Sequence, residues 1–94
     1  MTFDVLLSAS AEAFLTTLTT EDRDVFWRAV DLLCADPYPD DVSKQPLSFP
    51  YRKGTIGFSH GDFWITYRIL TGLCIEIGGV YWSPDSPKYP QYRG

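Results

Sequence analysis

The run Phe63-Trp64-Ile65-Thr66-Tyr67-Arg68-Ile69-Leu70, then Thr71-Gly72, then Leu73-Cys74-Ile75-Glu76-Ile77, alternates with period two. A strand with that period buries one face and shows the other to water, so the run predicts a half-buried hairpin. Its less apolar face carries Trp64, Thr66, Arg68 and Glu76: an aromatic, a hydroxyl, a cation and a carboxylate. The chain carries no recognisable catalytic motif, and the functional reading therefore starts from this face.

The rest of the chain supplies what the hairpin packs against. Residues 2–8 read as a strand, with Phe3, Val5 and Leu7 on one face. Ser8 or Ser10 can cap a short helix that holds Ala11, Phe14, Leu15 and Leu18 at helical spacing. Thr19 and Thr20 break it and cap a second helix, whose apolar stripe is Val25, Phe26, Ala29, Leu32 and Leu33. Glu21, Asp22 and Asp24 suit the positive end of its dipole. Pro37 and Pro39 stop that helix near Asp36. Residues 36–50 form a connector with Leu47 and Phe49 tucked beneath it, and strands follow over 51–58, 63–70 and 73–81. Residues 82–94 carry Pro84, Pro87 and Pro90 and form a proline-rich tail. The expectation is a single α+β domain over 1–94: an N-terminal strand, two helices, then a three-stranded antiparallel meander, the helices on one sheet face.

Facing fixes the expected registers. A four-residue loop over 59–62 pairs Phe58 with Phe63 and Ile56 with Ile65, and sets Lys53 opposite Arg68 and Thr55 opposite Thr66. The second turn is expected to have three residues, pairing Ile69 with Leu73 and Tyr67 with Ile75, with Gly72 in the left-handed position. One face then gathers Lys53, Thr55, Trp64, Thr66, Arg68 and Glu76.

Composition narrows the function. With 45% hydrophobic and 16% aromatic residues the chain reads as globular. No apolar run approaches the roughly 20 residues of a membrane helix, and no basic stretch precedes an apolar one at the N-terminus, so a cytoplasmic protein without a membrane partner is expected. Two cysteines, Cys34 and Cys74, and one histidine leave no metal-ligand spacing. No metal or other cofactor is expected. The net charge of −4 is uneven: residues 1–43 hold nine acids and two bases, a balance of −7, and residues 44–94 hold six bases and three acids, a balance of +3. One side of the domain is therefore suited to an anionic partner.

A tryptophan beside cations suits single-stranded nucleic acid, because the indole stacks a base while cations hold phosphates. The tail adds Lys88, Tyr89, Tyr92 and Arg93. The alternative at this level is that the connector and tail cover the same face and make Trp64 part of a second small core.

The pattern A-x-x-F-L-x-x-L over 11–18, Leu32-Leu33 before Asp36-Pro37, the strand around Tyr67-Arg68-Ile69 and the apolar strand over 74–80 together resemble the RelE/ParE toxin superfamily of bacterial toxin–antitoxin modules. The resemblance implies a RelE-like toxin that acts on messenger RNA at the ribosome, a ribosome-dependent endoribonuclease with a depleted set of basic residues. It also implies a small cognate antitoxin as partner and leaves homodimerisation open. On this reading Arg68, Lys53, Tyr89 and His60 are the catalytic candidates, and Arg52, Trp64, Thr66, Lys88 and Arg93 bind RNA. The alternative within the same superfamily is a non-enzymatic protein that binds gyrase or only its antitoxin, with Trp64, Tyr81 and Trp82 as anchors.

Overall fold

A computed structural model describes residues 2–40 and 42–89. The elements run β1 (Asp4–Leu7), α1 (Ala9–Leu15), α2 (Thr20–Ala35), β2 (Lys44–Pro46), β3 (Thr55–His60), β4 (Phe63–Leu70) and β5 (Cys74–Trp82). They build one five-stranded mixed sheet in the order β1-β5-β4-β3-β2. Strand β1 lies parallel to β5, and the other neighbours are antiparallel.

The expected α+β architecture holds, with one correction: the stretch expected as a connector contributes a strand to the sheet. That strand, β2, is only three residues long and ends in Pro46, so it lacks any readable alternation. Proline is tolerated there because β2 is an edge strand with β3 as its one neighbour. The loop before it is organised by Asp40, whose Oδ1 accepts from the backbone N–H groups of Val42, Ser43 and Lys44 at 2.9, 2.9 and 3.0 Å. Lys44 is nearly buried, and its Nζ donates to the Asp36 carbonyl at 2.7 Å, closing the end of α2.

The caps follow the sequence. The Ser8 hydroxyl accepts from the Ala11 N–H and Thr19 from the Asp22 N–H, each satisfying an orphan donor of the first turn. Helix α2 buries Phe26, Ala29, Val30 and Leu33, a clean i, i+3, i+4, i+7 stripe. Leu32, expected in that stripe, lies off it and is 52% exposed, while Val30 takes its place. Both helices pack on one face of the sheet, where Phe14 and Phe26 meet Phe63 edge-on at 6.4 and 6.0 Å. Ile56, Phe58, Ile65, Tyr67, Ile75, Ile77 and Val80 complete that core. Phe49 is not tucked beneath the connector; it is 95% exposed.

Both hairpins differ from the expected register by two residues, the first through a tighter turn and the second through a turn displaced along the chain. Gly61 and Asp62 alone turn the first, so Phe58 pairs with Ile65, and Thr55, not Lys53, stands opposite Arg68. Gly61 supplies the positive φ (+55°) such a turn needs. The second turn has the expected three residues with Gly72 at φ +76°, but they are Thr71, Gly72 and Leu73, and Ile69 pairs with Ile75. Because each slip is by two residues, the side chains of β3, β4 and β5 as far as Ile77 keep their expected faces. A bulge then shifts the β4–β5 ladder: Tyr67 pairs with Ile77 but Thr66 with Gly79, leaving Gly78 extra. The Ser8 hydroxyl donates to the Gly78 carbonyl at 2.7 Å, tying the start of α1 to that bulge.

Candidate functional site

The sheet face away from the helices presents three cross-strand rows. They are Thr55–Arg68–Glu76, Gly57–Thr66–Gly79 and Ser59–Trp64–Tyr81. The middle row is a floor. A Cβ at Gly57 would overlap the benzo ring of Trp64, and one at Gly79 would meet the phenol of Tyr81 at 2.5 Å. Both rings therefore sit directly against glycine backbone, and Thr66 between those glycines is buried.

The first row ends the floor with charge. Arg68 Nη2 donates to Glu76 Oε1 at 2.8 Å, and the two side chains keep 28% and 37% of their surface in solvent. A cleft of about 300 Å³ opens over this pair, lined also by Pro50, Tyr51, Arg52 and Tyr81. A second cleft of about 240 Å³ continues past the shared Tyr51 and Tyr81 to Trp64, Trp82, Pro84 and Tyr89. The result is a surface that is ionic at one end and ring-walled at the other. It can hold a planar group by stacking and an anion by the guanidinium groups.

The residues singled out in the sequence divide accordingly. Arg52, Trp64, Thr66, Arg68 and Tyr89 line one cleft or the other. Lys53 sits in the exposed turn before β3 and lines neither. His60 is on the opposite face of the sheet, stacked on Phe58 at 5.8 Å, because the tight turn extends β3 to include it. Lys88 turns to the helix side, donating to both Asp22 carboxylate oxygens at 2.7 Å with its Nζ 5.2 Å from the Trp82 ring centroid. Arg93 lies outside the described residues. Sequence reasoning missed Pro50 and Tyr51, since nothing in the alternation shows that the turn before β3 folds over the sheet. The connector and tail thus rim the face without closing it.

Other titratable groups belong to the scaffold. The hydrogen bond from Lys88 holds the Asp22 carboxyl below the usual carboxylate range. Tyr67 donates its hydroxyl to the Pro37 carbonyl at 2.6 Å on the helix side, and burial pushes its pKa well above the ordinary value. Cys34 and Cys74 are free thiols, and burial raises the pKa of Cys34. Among the described residues no group of three or more His, Cys, Asp or Glu is placed to hold a metal ion. None of the described helices is long and apolar enough to cross a membrane.

No protein-family model matches the sequence, and no curated protein matches it significantly. The fold is nevertheless shared. A chain of the toxin–antitoxin complex RelBE2 from Mycobacterium tuberculosis superposes with a TM-score of 0.73 at 21% identity, covering 88% of this chain and 100% of that one. The arrangement of strands and helices is that of a chain in a toxin–antitoxin complex, in line with the resemblance drawn from the sequence.

Proposed function

We propose that this chain is the RelE-like toxin of a toxin–antitoxin module and acts on messenger RNA at the ribosome through the open face of its sheet. The observation that carries the proposal is the continuity of the two clefts, from Arg52 and Arg68 to the rings of Trp64, Tyr81 and Tyr89. A single RNA strand has that composition, with phosphates along one side and bases along the other. Arg68 and Arg52 hold a phosphate, and Trp64 and Tyr81 stack bases against the glycine floor. For cleavage, the RNA 2′-oxygen bonds to the neighbouring phosphorus while its proton passes to Glu76. The bond from phosphorus to the 5′-oxygen breaks, and that oxygen takes a proton, the role this reading gives to Tyr89. A small antitoxin is the proposed neutralising partner.

One feature favours a second reading, a non-enzymatic toxin that binds gyrase or only its antitoxin. Glu76 already neutralises part of Arg68, and Tyr51 and Tyr81 are 44% and 52% exposed, as protein-interface anchors would be. Induced expression separates the two. The RNA reading expects growth arrest with cleaved messenger RNA, both lost in Arg68→Ala and in Trp64→Ala. Full toxicity of the double variant sinks it. Arrest with intact messenger RNA and inhibited supercoiling selects the second reading.

A further inference from the structure

The segment after β5 reaches both faces of the sheet. On one side Lys88 is clamped to Asp22 in the first turn of α2, with Nζ at 2.7 Å from each carboxylate oxygen and over the Trp82 ring. On the other side its neighbour Tyr89, with Pro84, forms one wall of the ring-lined cleft beside Trp64. Between them the segment is wound tightly. Ser83 N–H donates to Asp62 O at 2.6 Å, Ser86 N–H to Ser83 O at 2.9 Å and Tyr89 N–H to Ser86 O at 3.0 Å. Ser86 is buried, and its hydroxyl accepts from the Lys88 N–H. Asp22 is itself fixed, its side chain 17% exposed and its N–H bonded to the Thr19 cap.

We infer that Asp22 and Lys88 are positioning residues, a clamp on the helix side of the sheet that holds Tyr89 in the wall of the cleft on the other side. The clamp explains why a basic residue beside an aromatic in the tail is not itself on the open face. Its charge is spent on α2, and the aromatic next to it is what reaches the site. A surface ion pair alone has little effect on stability, so its consequence is in the placement of the segment it ties down. The inference rests on the reading of the cleft as a stacking site for RNA bases.

The test uses the full chain with ¹⁵N labelling and a ten-nucleotide oligouridine as probe. Asp22→Asn and Lys88→Ala are expected to speed amide exchange at Tyr89 at least ten-fold. They should also move the Trp64 indole N–H resonance toward its position in Tyr89→Ala. Oligouridine affinity should fall three- to ten-fold in each, and Lys88→Arg, which keeps the charge and the donors, should retain it. Asp22→Asn added to Tyr89→Ala should cost nothing further, because the clamp acts through Tyr89. An unmoved indole resonance, or a clamp variant that loosens the segment but binds like wild type, overturns the inference. If wild type itself fails to hold oligouridine, the RNA reading falls. The exchange and indole shifts then decide by themselves whether the clamp places Tyr89.

Discussion

A methyl group at Gly57 would stand inside the indole of Trp64, whose benzo ring rests on that backbone. Gly57→Ala is therefore expected to lift the ring and cost about 1–3 kcal/mol by overpacking, measured by urea denaturation. Arg68 makes the opposite case. Its ion pair with Glu76 is 28% and 37% exposed, so Arg68→Ala should change stability by less than about 1 kcal/mol while abolishing the proposed activity. Tyr67→Phe removes a buried donor to Pro37 and should cost about 1–2 kcal/mol at neutral pH. The sign of its pH dependence follows from a folded pKa raised above the ordinary value near 10. Wild type keeps the Tyr67 contribution below pH 10 and loses it as pH rises further, because only the unfolded chain ionises there. Alkaline denaturation of Tyr67→Phe should lack that component. Little of this was legible from the sequence. The alternation placed Trp64, Thr66 and Arg68 together, but no pattern says that an indole will lie on a glycine one strand away.

At the scale of elements, the periodic segments read true, the short β1 and α1 among them, and the three-residue β2 did not. Strand β4 and both helix caps follow from alternation and hydroxyl placement, each a signal spread over several residues or fixed by a backbone donor. Strand β2 has three residues and a proline, and it exists because the Asp40 loop delivers it to the edge of β3. Three backbone N–H groups hold the Asp40 carboxyl far below its usual range. Its contribution is thus present above the ordinary carboxylate value and is lost as pH falls through the depressed one. Asp40→Ala should accelerate amide exchange at Ser43 and Lys44 at neutral pH, leaving the β4–β5 ladder protected. Equal acceleration throughout the sheet would mean that the loop is not a local device. The bulge in β5 had a visible trace, since the apolar phase passes from Ile75 and Ile77 to Val80 and Trp82 across a Gly-Gly pair. Strict period two carries the expected Tyr67–Ile75 pairing on to Ile65 with Ile77, whereas Val80 is the residue that stands opposite Ile65.

For the whole molecule, the charge asymmetry read from the sequence is partly consumed within the fold. Lys44 and Lys88 both turn toward the acidic helix side, meeting Asp36, Asp40 and Asp22. Of the described basic residues, Arg52 and Arg68 line the ionic cleft. Two phosphate contacts imply a shallow salt dependence for single-stranded RNA, a slope of log K against log salt of about −1.4. A slope several times steeper would require cations from elsewhere on the chain. The fold was legible because it depends on facing, which survives a register slip of two residues. The cleft was not, because its walls come from the segments on either side of the meander. Gly78 has a consequence of its own for the length of this chain. Every other residue of β5 has a partner across the β4 ladder, and Gly78 is the one that does not. Removing it would leave each pair and each facing as it stands, so β5 can be shortened by one residue there without turning any side chain over. What would go is the carbonyl that receives Ser8, together with the local bend that the extra residue puts into the floor of the cleft.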